Sequence, residues 1–271
     1  MTEYHVFLVS DGTGETAARI SKAALAQFKP ARTVLSRHSN VRSVEMIKDI
    51  VRAAERQRAL VIHTFASQDL RRAMEQCCQD RNVPSHDLLG PLIERLEHAI
   101  GSPSSGKPGL LHEMNEDYFE RMDALAYTVR NDDSRCPEDL AQADIVLVGA
   151  SRTSKTPLSI YLAQEGWRVA NIPLVMGEAV CRELANVDAT RVVGLTATPE
   201  HLVGIRQARL LRLGSTESSY ADPAYVREEL EFCRRVFAEH PEWMVVDVTG
   251  KSVEEIAAEV TDRLFGKERR L

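Results

Sequence analysis

Lys155 and Thr156 close the stretch "GASRTSKT", residues 149–156, at the sixth and seventh positions after Gly149. That spacing fits a phosphate-binding loop of the form G-x-x-x-x-G-K-[ST]. The chemistry follows from where the residues stand. Unpaired N–H groups at the start of a helix, together with the helix dipole, attract an anion. A turn of successive N–H groups can cradle phosphate oxygens. Gly149, Ala150, Ser151, Arg152, Thr153, Ser154, Lys155 and Thr156 form the expected nucleotide-binding set. Lys155 would neutralise a terminal phosphoryl group, and the Thr156 hydroxyl suits Mg²⁺. Arg152 places a second cation in the loop, which suits more than one phosphate group or free phosphate. Ser154 departs from the pattern, which has its second glycine there.

A phosphoryl acceptor hydroxyl has to lose its proton, usually to a carboxylate. Asp132 and Asp133 follow a helical pattern and are placed to face the loop. Asp247 ends a strand, where ligand-facing residues of open α/β sheets collect. Asp133 and Asp247 therefore join Lys155 and Arg152 as candidate catalytic residues. A solvated helix-ending turn explains the first pair as well, and local capping explains Asp247.

The elements that would position these residues are legible. "ADIVLVG" reads as a strand and "TPLSIYLAQEG" as a helix that accepts Pro157 in its first turn. Before them, "HVFLVS", "TVLSRHS" and "ALVIHTFA" read as strands alternating with helical stretches. "WRVANIPLV", "TRVVGLT" and "WMVVDVT" continue the alternation, which implies parallel βαβ units. Ser252 and Glu255 have capping-box spacing. "GSPSSGKPG", residues 101–109, reads as a linker, so domains over 1–105 and 110–271 are expected. No internal repeat is visible. "SDGTGETA" near the start is a second polar strand–helix turn, but it lacks a basic residue of its own.

The chain has 271 residues, 44% of them hydrophobic, and a net charge of -6. That balance argues against broad nucleic-acid binding. No apolar run reaches the ~18 residues that a membrane span needs. The opening residues show no secretory pattern, so a cytoplasmic location is expected. Five cysteines without a CxxC pair suggest reduced thiols.

Longer motifs narrow the reading. "GASRTSKTPLSIYLA", "VSDGTGETA", "DYFERMDALAYTVRNDD" and "GLTATPEHLVGIRQARL" together resemble the pyruvate, phosphate dikinase regulatory protein family, over nearly the whole chain. The chain departs from the family pattern at Met176 and Gly177. The resemblance implies a bifunctional enzyme. As a Ser/Thr kinase it would use ADP to phosphorylate, and so inactivate, an active-site threonine of the dikinase. In reverse it would remove that phosphate with inorganic phosphate, forming pyrophosphate. It also implies a homodimer and, with the loop, Mg²⁺. The expected fold is α/β: an N-terminal Rossmann-like or flavodoxin-like parallel sheet, then a C-terminal P-loop kinase-like domain. Arg206 and Arg209 resemble the spaced arginines that such kinases carry before a lid. Alternatives are the same chemistry on phosphoenolpyruvate synthase, an ATP-dependent metabolite kinase, or a non-catalytic nucleotide sensor.

Overall fold

A computed structural model describes residues 3–28, 32–110, 116–134, 137, 139–212, 214 and 219–266. The chain divides into two compact units, Met1–Glu113 and Met114–Leu271.

In the first unit, strands β1 (Glu3–Ser10), β2 (Arg32–His38), β3 (Leu60–Thr64) and β4 (Ser85–Asp87) alternate with helices α1 (Glu15–Leu25), α2 (Val44–Gln57), α3 (Gln68–Asp80) and α4 (Gly90–Ile100). The strands pair in parallel, in the order β2-β1-β3-β4. Side chains of β1 alternate between faces, as the two-residue period of a strand requires. Phe7 and Val9 pack with Ile47 and Val51 of α2 and Met74 of α3, while Val6 and Leu8 pack with Ala17 and Ala18 of α1. Helix α2 starts where Ser43 accepts a bond from the Met46 amide, a side-chain N-cap. Strand β4 is not evident from the sequence, because "SHD" is short and polar.

The second unit begins with α5 (Glu116–Arg130). It continues through β5 (Ile145–Gly149), α6 (Lys155–Gln164), β6 (Val169–Pro173), β7 (Val192–Thr196), α7 (Pro199–Arg212), α8 (Pro223–Glu239), β8 (Met244–Asp247) and α9 (Val253–Phe265). Its sheet is again parallel, in the order β6-β5-β7-β8. Every residue of β5 is buried, as expected of a strand covered on both faces. Val146 and Val148 face a cluster with Leu202 and Leu230. Ile145 and Leu147 face Leu158 and Leu162 of α6 and Val260 of α9. Ser252 and Glu255 form the capping box at the start of α9.

The two sheets thus share one strand order without a visible sequence repeat. In each, the first strand (β1 or β5) lies between strands reached by connections in opposite directions. Open parallel sheets bind ligands beyond the carboxyl ends of their strands at such a switch point. "SDGTGETA" follows β1, and the "GASRTSKT" loop follows β5. No helix among the described residues is long and apolar enough to cross a membrane. Cys77, Cys78 and Cys233 are free thiols. Cys181 is disulfide-bonded, unlike the five reduced thiols expected, and Cys136 lies outside the described residues.

Candidate active site

The loop between β5 and α6 bends through two left-handed residues, Arg152 (φ 73°) and Ser154 (φ 64°). Ser154 therefore holds the backbone conformation for which glycine is the usual solution. Gly149 is required for another reason: a Cβ there would lie 2.5 Å from the carbonyl oxygen of Leu195 in the neighbouring strand. Thr153 is fully buried, and its hydroxyl donates to the Ala150 carbonyl across the turn at 2.9 Å. The strand end, the turn and the first turn of α6 are thereby fixed together.

A cleft of about 400 Å³ opens at this loop, within the range of small-molecule sites. Ser151, Arg152, Ser154, Lys155, Thr156 and Pro157 line one side, and Asp133 and Ile205 complete it. Lys155 is 5% exposed. Its ammonium donates to the carbonyls of Gly149 at 2.9 Å and Ala150 at 2.8 Å. An ammonium has three donors, so one remains for a ligand. Burial pushes Lys155 down from 10.5 to about 8, and Asp133 is the strongest charge opposing that shift. A cation held in a site of low polarity acts more strongly on an incoming anion than one in water.

The two aspartates after α5 divide their work. Asp132 accepts from Asn171 Nδ2 at 2.6 Å, and the same amide nitrogen lies 3.2 Å from Thr156 Oγ1. Asn171 is fully buried in β6, and its Oδ1 has no hydrogen-bond partner among the described residues. This orientation turns the amide donor toward the carboxylate, the arrangement that pairs. Asp133 takes a left-handed backbone (φ 55°), and it, not Asp132, lines the cleft. Asn171 is missed by the reading of the sequence, where its single signal is to be the polar residue in an otherwise apolar strand.

Beneath the loop, α7 and α8 supply a charged support. Arg206 is fully buried and pairs with Glu229 at 2.6 Å. It also donates to the carbonyls of Ser151 at 2.8 Å and Tyr220 at 3.0 Å. Its guanidinium carbon lies 4.5 Å from the centre of the Tyr220 ring. The Tyr220 hydroxyl is 3.2 Å from Ser151 Oγ and accepts from Arg152 Nε at 3.1 Å. Arg206 is therefore packed under the loop. Cys233, one turn along α8 from Glu229, is buried, and burial pushes its thiol up to about 12.

Asp247 stands apart from the cleft lining. It is exposed at the end of β8, where its carboxylate accepts from the Thr249 amide at 2.9 Å. The Thr249 hydroxyl, and to a lesser extent that amide bond, hold its carboxyl below the usual range. In the first unit, Asp11 is buried and accepts from the amides of Ala66 and Ser67. The turn after β1 borders a second cleft of about 350 Å³, to which Arg42 and Lys107 bring the basic groups that the turn itself lacks. Lys107 comes from the segment read as a linker.

Residues 6–261 match the model of a family described as kinase/pyrophosphorylase. A protein of Geobacter sulfurreducens is 44% identical over 97% of this chain and 98% of its own length. One of Geotalea daltonii is 46% identical over 95% of this chain and 96% of its own. One of Nitrobacter hamburgensis is 41% identical over 99% and 96%. All three are provisionally named pyruvate, phosphate dikinase regulatory protein. With that identity along nearly its full length, the chain belongs to the kinase/pyrophosphorylase family of pyruvate, phosphate dikinase regulatory proteins.

Proposed function

We propose that the second unit transfers a phosphoryl group from ADP to a threonine of pyruvate, phosphate dikinase, and removes it again with inorganic phosphate. One observation carries this reading: two cations, Arg152 and Lys155, and one carboxylate, Asp133, line the same cleft at the start of a helix. In the forward reaction the threonine oxygen attacks the β-phosphorus of ADP. The bond from that phosphorus to the bridging oxygen breaks, AMP leaves, and Asp133 takes the threonine proton. In reverse, an oxygen of inorganic phosphate attacks the phosphothreonine phosphorus. The bond to the threonine oxygen breaks, pyrophosphate leaves, and Asp133 returns a proton to the threonine.

Both directions are in-line displacements at one phosphorus, so a single cationic site serves both. Lys155 and the loop amides stabilise charge on the phosphoryl oxygens in flight. The Thr156 hydroxyl lines the cleft and keeps an oxygen lone pair beside its contact from Asn171, so it fits a role as Mg²⁺ ligand. Mg²⁺ commonly takes few protein ligands and completes its shell with phosphates and water. When bound, it would neutralise charge on the phosphates.

The test is transfer of label from β-labelled ADP to purified dikinase, with Lys155→Ala alongside. Label on a dikinase threonine, lost in the variant, supports the proposal. Transfer only to phosphoenolpyruvate synthase moves the target. Turnover of ATP on a small alcohol, or nucleotide binding without any transfer, replaces the proposal with a metabolite kinase or a sensor.

A further inference from the structure

We infer that Arg206 is a positioning residue that aims the amide of Arg152 at the phosphate subsite, with Glu229 and Tyr220 holding it in place. The inference rests on the phosphoryl-transfer reading above. Arg206 does not line the cleft, and it is fully buried, so it does not act by touching a substrate. What it touches is the loop backbone. Its Nη2 binds the Ser151 carbonyl at 2.8 Å. In a trans peptide the C=O and the following N–H point in opposite directions. With the Ser151 carbonyl turned inward onto Arg206, the Arg152 N–H turns outward, toward the cleft that Ser151 and Arg152 line. The preceding peptide is fixed as well, because the Ala150 carbonyl accepts from Thr153 Oγ1 and Lys155 Nζ.

A planar guanidinium is suited to this task. It reaches the carbonyls of Ser151 and Tyr220 and the carboxylate of Glu229 at once, in a fork that a lysine cannot reproduce. Tyr220 completes the device from above. Its ring lies over Arg206, and its hydroxyl reaches Ser151 Oγ and Arg152 Nε. The left-handed backbone of Arg152 is thus anchored on both sides.

Three variants of the full chain test this. Arg206→Met with Glu229→Leu removes the pair together and leaves no unpaired buried charge. Arg206→Lys keeps the charge but loses the fork. Tyr220→Phe keeps the ring and the backbone carbonyl and loses the hydroxyl. The readouts are the amide resonance of Arg152 on titration with inorganic phosphate, and the KM for ADP set against the KM for the dikinase. In the wild-type chain the Arg152 amide resonance is expected to shift on phosphate binding. In the double variant and in Arg206→Lys that shift is lost. The KM for ADP rises by about tenfold or more, in line with loss of one directed hydrogen bond to a charged group, while the KM for the dikinase stays within twofold. Tyr220→Phe keeps the shift and has a smaller effect. Wild-type phosphate response and KM for ADP in a folded double variant, or in Arg206→Lys if the double variant does not fold, overturn the inference. A wild-type chain that neither binds phosphate nor transfers label sinks the functional reading itself, which is a separate result.

Discussion

The ammonium of Lys155 donates to the carbonyl oxygen of Ala150, 2.8 Å away, so the cation of the loop is held by the loop's own backbone. A buried ammonium in this setting titrates near pH 8, and two pH effects of opposite sign follow. Between pH about 8 and 10.5 the folded chain has lost this proton while the unfolded chain keeps it. Stability therefore rises with pH through that window. Affinity for phosphate or ADP falls over the same range, because the cation is lost. Urea unfolding and calorimetric titration of ADP from pH 7 to 10 measure both. Lys155→Met is expected to flatten both trends relative to wild type, and parallel curves for the two proteins would refute the assignment.

Ser154 carries a left-handed backbone at a cost of roughly 1–2 kcal/mol, whereas glycine there costs about 0.5–1 kcal/mol in unfolded-state entropy. Ser154→Gly is expected to raise stability by about 0.5–1 kcal/mol and leave ADP affinity within threefold. Gly149→Ala is expected to cost about 3 kcal/mol or more, since the new Cβ meets the Leu195 backbone at 2.5 Å in a strand paired directly with β5. Denaturant midpoints of the two variants decide this.

Asp133 and Asp247 separate cleanly. Asp133→Asn removes the carboxylate that lines the cleft and should lower transfer about 10²-fold or more, with the thermal midpoint nearly unchanged. Asp247→Asn weakens a local bond to Thr249 and should cost at most about 1 kcal/mol and less than threefold in transfer. The reverse ranking of the two rates would exchange their roles.

Cys233 lies beneath the loop with its thiol pushed up to about 12, and burial also raises Cys78. Of the free thiols Cys77, Cys78 and Cys233, iodoacetamide at pH 8 should alkylate the partly exposed Cys77 first. The other two should react only on unfolding. Peptide mapping of native and urea-treated protein reads this out. Rapid native alkylation of Cys233 would mean that the loop and α8 separate readily.

The sequence by itself determined what depends on near neighbours. The apolar run "IVLVG", the turn and the helix after it are contiguous, so this strand–turn–helix unit was legible from its own residues. The capping box at Ser252 and Glu255 was legible for the same reason. The position of Ser154 marked one place where the loop needed an unusual backbone, and the structure puts a left-handed residue there, with a second at Arg152 that the sequence did not mark. The alternation of strands and helices implied parallel sheets, because a helical crossover returns the chain to the end of the sheet where the previous strand began.

Tertiary structure decided whatever spans distance. Arg206 reaches Ser151 across 55 residues, and Asn171 reaches Asp132 across 39. No local period encodes such pairs. The common strand order of the two sheets is likewise a matter of which side each connection takes, and the two units share it without sharing a sequence pattern. Asp133 faces the cleft and Asp247 does not, although both follow regular elements. Only the packing of α5 beside β6 and of β8 beside β7 distinguishes them.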